Sequence, residues 1–331
     1  GAMPTALHGH ANMPDGRDLL LRRLSDLNAA SKEWIIRQYD HEVQGASAVK
    51  SLVGPGLGPS DAAVLRPRLS SDKGIVLANG ICPSLSDVDP YWMAVAAIDE
   101  ALRNVICVGG DPNRTAILDN FCWGNCEDPQ TMGALVRACQ GCYDAAVAFG
   151  TPFISGKDSL NNEFALDAND AKQLAEMMPL FNNRIRIPET LLISAMSVID
   201  DVKRCVTMDA KPSDQPTPFF YVGLKARQWP EASTSDAADL HAAVSGLIRA
   251  GKVLAAHDCS DGGILQALAE MAFAGQCGID ATFTDLCPFS PGTSGYILQT
   301  PESAADEVAR IADQHAGLLA RRIATTARNE E

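Results

Sequence analysis

The stretch 253-VLAAHDCSDGGILQALAEMAFAGQCGID-280 carries the most decisive local pattern in the chain. A short apolar run of strand type leads into a turn that holds two aspartates, a serine and two adjacent glycines. A helix is then predicted from about Ile264 to Ala274, ending at Gly275, because its apolar residues fall on one stripe. The pattern therefore predicts a strand, a polar turn and a helix in succession, which is a building unit of α/β and α+β folds.

The turn combines features that favour anion binding with features that oppose it. Ser260 or Asp261 is a suitable N-cap for the helix. Gly262 and Gly263 would leave backbone amides uncovered at the helix start. Such amides attract anions, whereas carboxylates in the same turn, such as Asp258, repel them unless a cation lies between. The turn indicates either a metal-bridged phosphate site or a capped turn whose acidic residues are incidental.

Composition excludes several classes of partner. The chain has 331 residues, of which 46% are hydrophobic and 21% are charged, so it is long enough to form two cores. Its formal net charge of -14 arises from 41 acidic and 27 basic residues, which disfavours nucleic acid as a partner. No apolar run approaches the roughly 20 residues of a membrane span, and no signal segment opens the chain. We therefore expect a cytoplasmic protein that binds neither nucleic acid nor membranes.

Strands and helices alternate in two blocks, and this order predicts an α/β or α+β class with mixed sheets. A polar, irregular segment separates the blocks and is expected to be a connection. The predicted divisions are a tag remnant and flexible start at 1–17, an N-lobe at 18–165, a connection at 166–188, and a C-lobe at 189–331 that begins with the strand TLLISAMSVI.

Three polar residues in the first block have the spacing or setting of metal ligands. Glu100 and Asn104 are four residues apart, which places them on one face of a helix. The same spacing is also common on a solvated helix surface. Asp61 follows a Gly- and Pro-rich run and is either a turn cap or a ligand of a hard cation such as Mg²⁺.

Two further residues are candidates for phosphate contact and for acid–base chemistry. Lys157 lies in the run SGKDS, which fails the P-loop pattern, so Lys157 either contacts phosphate or faces solvent. His41, in YDHEVQG, has the neighbours most typical of acid–base chemistry, and the alternative is a structural hydrogen bond. Nucleophilic catalysis has no support, because the chain contains no G-x-S-x-G motif.

Several motifs together resemble phosphoribosylformylglycinamidine synthase, of the ATP-dependent superfamily that includes aminoimidazole ribonucleotide synthetase. The matching motifs are YDHEVQG, GPSDAAVL, DEALRN, DNFCWGN, GTPFISGKDSLNNEF, LLISAM, HDCSDGG and LAEMAFAGQCGID. They occur in the family's order from about residue 19 to the end of the chain. Enzymes of this family hold two pseudo-symmetric copies of an N-lobe and C-lobe pair, and this chain resembles only the second copy. The resemblance implies an N-lobe with a mixed sheet, like that of aminoimidazole ribonucleotide synthetase, and an α/β C-lobe.

The resemblance also implies a set of ligands for Mg²⁺ and for ATP or ADP. The implied metal ligands are Asp61, Glu100, Asn104, Asn125 and Asp258. The implied nucleotide contacts are Ser260 and Gly124, and the further candidate contacts are Ser60, Lys157, Gly262 and Gly263. Two departures from the family pattern bear on substrate contacts: the segment after YVGL is shorter than usual, and Cys259 stands where a larger residue is common.

The function implied by the resemblance belongs to purine biosynthesis. The family enzyme is a ligase that uses ATP and glutamine-derived ammonia to convert formylglycinamide ribonucleotide to formylglycinamidine ribonucleotide. The implied partners are the missing first half and a glutaminase, and the family's catalytic histidine lies in that first half. We therefore expect this chain alone to be inactive and to form a homodimer when isolated. Two alternatives remain open: a scaffold half whose nucleotide is never turned over, or a free-standing relative such as a small-molecule kinase or cyclo-ligase.

Overall fold

The computed structural model describes residues 16–176, 183–226, 229–290 and 294–327. The helices are α1 (Gly16–Leu24), α2 (Glu33–Ile36), α3 (Pro90–Cys107), α4 (Pro129–Phe149), α5 (Ala168–Ala175), α6 (Thr234–Arg249), α7 (Gly263–Gly275), α8 (Ala305–Ala309) and α9 (Ile311–Gln314). The strands are β1 (Ser47–Val49), β2 (Leu52–Val53), β3 (Gly58–Pro59), β4 (Ala63–Leu65), β5 (Gly74–Ile81), β6 (Thr115–Cys122), β7 (Phe153–Ser159), β8 (Glu163–Ala165), β9 (Arg184–Arg186), β10 (Thr190–Ile199), β11 (Pro218–Leu224), β12 (Ala255–Asp258), β13 (Ile279–Ala281), β14 (Gly295–Gln299) and β15 (Leu318–Thr326). Among these helices none is long and apolar enough to span a membrane.

The N-lobe is built on a six-stranded sheet in the order β1-β4-β5-β10-β6-β7. Neighbouring strands are antiparallel except β6 and β7, which are parallel. Helices α3 and α4 pack together, and α3 covers one face of the sheet through β5 and β10. The prediction of a mixed sheet in the N-lobe is therefore confirmed.

The predicted start of the C-lobe at residue 189 is wrong. Strand β10 lies at the centre of the N-lobe sheet, where Ser194 pairs with Asn79 on one side and with Leu118 on the other. Its sequence shows a strand with one buried face, but that pattern does not reveal which sheet the strand joins. The predicted connection is also partly regular, because it contains α5 and β9, which pairs with β8. Of the predicted flexible start, residues 1–15 lie outside the described part of the chain.

The C-lobe is built on a five-stranded sheet in the order β12-β14-β11-β15-β13. All of its neighbouring strands are antiparallel, so this lobe is α+β in type rather than a parallel α/β unit. Every residue of β11 and β14 is buried. Helix α6 packs against α3, α4 and β11, and therefore joins the two lobes.

Helix α3 carries the N-lobe residues of greatest interest and is buried on most of its circumference. It begins after Asp89, whose side chain accepts a hydrogen bond from the backbone N–H of Tyr91, with Pro90 at the first helical position. The helix contacts β5 and β10 of its own lobe and β12 and β14 of the C-lobe. Glu100 and Asn104 are among its few partly exposed residues, and they mark the side that meets the cleft between the lobes.

Within the described part of the chain, the face of the N-lobe sheet opposite α3 is uncovered and carries large apolar side chains. Along β5 the residues alternate between buried and more exposed positions, as expected when only one face packs on a core. Large apolar side chains on or beside this face are more than a third exposed: Leu77, Ile81, Ile154, Met196 and Val198. Such a patch is typical of a surface that another protein surface covers.

Candidate active site between the lobes

A cleft of about 560 Å³ opens between the N-lobe and the C-lobe. Four of the predicted metal ligands line it, although they come from three separate parts of the sequence: Asp61, Glu100, Asn104 and Asp258. Ser60 and Ser260, predicted nucleotide contacts, line it as well. Residues between Leu24 and Ile36 also line the cleft, although no functional role was predicted for this segment.

Asp61 and Asp258 are held together by the backbone. The N–H of Asp258 donates a 2.9 Å hydrogen bond to Asp61 Oδ1. The Asp61 side chain is only 1% exposed, and it lies in the turn between β3 and β4. Potential ligand atoms of Asp61, His257 and Asp258 all lie within 4.8 Å of one another. Residues of both lobes thus form one compact carboxylate cluster.

The two predicted ligands on α3, Glu100 and Asn104, are each held by a hydrogen bond to strand β5. Glu100 Oε2 accepts a 2.7 Å hydrogen bond from the backbone N–H of Ile81, at the end of β5. Asn104 Nδ2 donates to the backbone carbonyl of Asn79 at 2.8 Å. This bond directs the amide nitrogen of Asn104 toward β5 and leaves its side-chain oxygen as an acceptor.

The electrostatics of the cluster disfavour the ionised forms of two of its carboxyl groups. Burial, with repulsion from Asp258 in addition, raises the pKa of Glu100 to about 8. Burial also raises the pKa of Asp258, against the opposing attraction of the Arg103 guanidinium. Each carboxylate is therefore less stable in its ionised form than it would be in water, and a cation placed among them would reverse that effect.

The donor set fits a hard divalent cation. Mg²⁺ prefers oxygen ligands, and carboxylates from both lobes together with an amide oxygen provide them here. Asp61, Glu100, Asn104 and Asp258 are the residues that would hold it.

His257 lies at the centre of the cluster and was not predicted as a site residue. Its Nδ1 is 2.8 Å from Asp61 Oδ1, and its Nε2 is 2.9 Å from Glu270 Oε2. Burial alone would lower the pKa of His257, but attraction and hydrogen bonds from Asp61 and Glu270 outweigh it and raise the pKa well above its ordinary value. The histidine precedes Asp258 in the quoted stretch, and Glu270 lies 13 residues further on, but Asp61 is 196 residues away, so the motif alone does not reveal the arrangement.

Arg103 is the second residue that the sequence did not single out. Its guanidinium contacts Asp99 on the same helix, and its Nη2 lies 3.4 Å from Asp258 Oδ2. Arg103 is 4% exposed and Asp99 is fully buried. Asp99 also accepts a 3.0 Å hydrogen bond from Ser294 Oγ in the C-lobe. The arginine therefore links α3 to the C-lobe and lies directly behind the carboxylate cluster.

The glycine turn differs from its prediction in two respects. The N-cap of α7 is Gly262, without a side-chain cap, rather than Ser260 or Asp261. The N–H of Gly263 donates to the Ser260 carbonyl at 3.1 Å, so this amide is not uncovered. Both glycines have positive φ, 86° and 77°, which explains their presence better than a phosphate contact does. The predicted extent of α7, in contrast, is confirmed to within one residue at each end.

Besides Gly262 and Gly263, four predicted site residues are not among those that line the cleft. Gly124 lies against Arg186 and Glu163, and the N–H of Asn125 donates to Glu163 Oε1 at 2.7 Å. Lys157 is on β7 at the edge of the sheet and contacts Ser159. His41 is exposed, with Nδ1 3.4 Å from the Tyr39 carbonyl. The described fold thus separates these four residues from the carboxylate cluster, and their predicted roles stay predictions.

Two family sequence models match the chain. The model for AIR synthase related protein, N-terminal domain, matches residues 59–169, and the model for AIR synthase related protein, C-terminal domain, matches residues 223–329. The chain belongs to the AIR synthase related family. The first match contains three of the predicted metal ligands in the cleft and the second contains Asp258, so the cleft lies between the family's two domains.

Curated relatives in this family are longer than the chain. It is 32% identical over 351 residues to the phosphoribosylformylglycinamidine synthase subunit PurL of Rhodospirillum rubrum, a match that covers 98% of this chain and 44% of that protein. It is 36% identical over 284 residues to the subunit of the same name from Anaeromyxobacter dehalogenans, covering 81% of this chain and 35% of that protein. The chain thus spans less than half the length of these relatives.

Solved structures share the fold. The PurL of Thermotoga maritima complexed with FGAR superposes with a TM-score of 0.65 at 16% identity, covering 95% of this chain and 50% of that one. The structure of PurLQS from the same organism gives a TM-score of 0.62 at 21% identity, covering 90% of this chain and 41% of that one. These similarities confirm the fold predicted from the sequence motifs.

Proposed function

We propose that the cleft binds ATP together with Mg²⁺, and that the chain is the second N-lobe and C-lobe copy of a phosphoribosylformylglycinamidine synthase. The observation that carries this proposal is the meeting of Asp61, Glu100, Asn104 and Asp258 in one cleft. The relatives that are 30–36% identical to the chain support the choice of enzyme, since they bear that name.

The proposed reaction is a ligation in purine biosynthesis. ATP phosphorylates the amide oxygen of formylglycinamide ribonucleotide, and ammonia then displaces phosphate to give formylglycinamidine ribonucleotide, with ADP and phosphate as the other products. Mg²⁺ would screen the phosphate charges when bound. In this chain Asp61, Glu100 and Asp258 would supply anionic oxygens and Asn104 a neutral one. The Ser260 hydroxyl, partly exposed at the same cleft, would donate a hydrogen bond to a phosphate oxygen.

The proposed partners follow from the proposal that this chain is only the second half of the synthase. We assign the substrate site and the catalytic histidine to the first half of the synthase, and the supply of ammonia to a glutaminase. The Thermotoga maritima PurL complex with FGAR supports formylglycinamide ribonucleotide as the substrate of the whole enzyme. The cytoplasmic location stays a prediction.

The uncovered face of the N-lobe sheet has a proposed role in assembly. In the complete enzyme it would pack against the corresponding lobe of the first half. In the isolated chain a second copy would cover it, because a closed symmetric pair buries the same patch on both subunits. The apolar residues at this face, Leu77 and Met196 among them, support the proposal.

Calorimetry with ATP and Mg²⁺ tests the proposed binding site. Asp61→Asn keeps the size of the side chain but removes the anionic oxygen, so we expect affinity for Mg²⁺ and ATP to fall by at least about tenfold. Asp306→Asn is the matched control, because Asp306 is exposed on α8, and its affinity should equal that of the wild type. Unchanged affinity in Asp61→Asn would contradict the proposed site. Nucleotide released from the purified protein only on denaturation would favour the scaffold alternative over turnover.

A further inference from the structure

The His257 ring is held at both nitrogens by carboxylates from different elements. Asp61, after β3 in the N-lobe, lies at Nδ1, and Glu270, on α7 in the C-lobe, lies at Nε2. Glu270 is itself fixed, because its Oε1 accepts a 3.0 Å hydrogen bond from Gln266 Nε2. Gln266 is 5% exposed and His257 is 6% exposed, so this chain of contacts is largely buried in the wall of the cleft.

This geometry disfavours a role for His257 as a metal ligand. The ring lies close enough to Asp61 and Asp258 to be grouped with them by distance. A ligating imidazole needs one nitrogen directed at the metal, however, and here each nitrogen already faces a carboxylate oxygen. The histidine would have to lose one of its two hydrogen bonds to bind a cation.

The same geometry determines which oxygen of Asp61 can face a ligand. Asp61 Oδ1 accepts hydrogen bonds from the ring of His257 and from the backbone N–H of Asp258, at 2.8 and 2.9 Å. Two bonds to one oxygen restrict the orientation of the carboxylate, and both donors come from the opposite lobe. Oδ2 accepts neither of these bonds and is therefore the oxygen that we expect to face a cation.

We propose that His257, braced by Glu270, is a positioning residue that fixes the Asp61 carboxylate across the lobe boundary for cation binding. This inference rests on the proposed function, since it assigns to His257 the orientation of a ligand in the proposed Mg²⁺ site. Hydrogen-bond partners of metal ligands typically contribute tenfold to a hundredfold to metal affinity. His257 therefore acts through Asp61, without contact to the cation or the nucleotide.

Two substitutions of His257 test the hydrogen bonds of its two ring nitrogens separately. His257→Asn places an amide N–H near the position of Nδ1, so it keeps the bond to Asp61. His257→Gln places an amide N–H near Nε2, so it keeps the bond to Glu270 and loses the bond to Asp61. Glu270→Ala removes the brace and leaves the histidine in place, and alanine is well tolerated in a helix.

The first readout needs no metal. Hydrogen exchange at the Asp258 amide, followed by NMR, reports whether Asp61 Oδ1 still accepts its bond. We expect exchange at least about tenfold faster in His257→Gln and in Glu270→Ala, and within about threefold of the wild type in His257→Asn. Equal exchange rates in the Asn and Gln variants would overturn the proposal, as would a wild-type rate in Glu270→Ala.

The second readout is titration with Mn²⁺ alone, followed by electron paramagnetic resonance. We expect His257→Gln to bind Mn²⁺ at least about tenfold more weakly than the wild type, and His257→Asn to bind within about threefold. Loss of Mn²⁺ binding in both variants, with slow Asp258 exchange in both, would make His257 a ligand and overturn the proposal. A wild-type protein that binds no Mn²⁺ would refute the proposed function instead, and the exchange comparison would still decide whether His257 positions Asp61.

Discussion

Replacing Arg103 with methionine should destabilise the protein strongly. Arg103 contacts Asp99 and Asp258, and all three side chains are at most 8% exposed. Methionine fills a similar volume, so the change removes the cation without opening a large cavity. The result is two buried carboxylates without their common counter-ion.

The expected magnitude follows from what each carboxylate retains. Removal of one partner from a buried ion pair typically costs about 3–5 kcal/mol. Asp99 keeps its hydrogen bond from Ser294, and Asp258 lies at the edge of the cleft, where it can become protonated. We therefore expect a loss near the lower limit, about 3 kcal/mol of unfolding free energy. Protonation of Asp258 would also weaken the proposed metal site.

Urea denaturation at pH 7, followed by tryptophan fluorescence, measures this loss. Arg103→Lys keeps the charge but cannot contact both carboxylates with a planar fork, so it should show an intermediate loss. Arg114→Met is the matched control, because Arg114 pairs with Asp200 at the surface and the pair should contribute less than about 1 kcal/mol. A loss below about 1 kcal/mol in Arg103→Met would refute the account of Arg103 as the counter-ion of the cluster.

Two other predictions concern the glycine turn and the open sheet face. Gly263→Val should lower the unfolding free energy by about 3 kcal/mol or more, because Gly263 has a φ of 77° and an added Cβ would lie 2.4 Å from the Ser290 carbonyl oxygen. The control Gly133→Ala, on an exposed helix surface with no atom near its added Cβ, should instead raise it by about 0.5–1 kcal/mol in the same urea assay, and similar losses in both variants would contradict this explanation. Leu77→Lys, which places a charge opposite Met196 on the uncovered sheet face, should convert the proposed homodimer to a monomer in light scattering. A wild-type chain that is monomeric at high concentration would rule out the dimer.

Local sequence patterns predicted the elements better than their assembly. Helix α7 was predicted to within one residue at each end because its apolar stripe and terminal glycine are local features. A helix at Glu100 and Asn104 was likewise predicted from a local feature, their four-residue spacing, and both residues lie on α3. Strand β10 was recognised as a strand but assigned to the wrong lobe, because pairing with β5 and β6 depends on contacts far along the chain.

The candidate site, too, was predicted only in part, because some of its contacts join residues far apart in the sequence. The motifs indicated Asp61, Glu100 and Asp258 as ligands through a family resemblance, and the fold brings them into one cleft. His257 was missed because its contact with Asp61 joins residues 196 positions apart. Its second partner, Glu270, lies on α7, and the prediction for this helix concerned the backbone amides at its start rather than its side chains.

A crystal structure of the chain grown with Mg²⁺ and ADP would test the central claim most directly. The account predicts one cation in the cleft, with carboxylate oxygens of Asp61, Glu100 or Asp258 at about 2.0–2.1 Å and the nucleotide phosphates beside it. Nucleotide bound outside the cleft, for example near Gly124 or Lys157, with no cation at the carboxylate cluster, would contradict it.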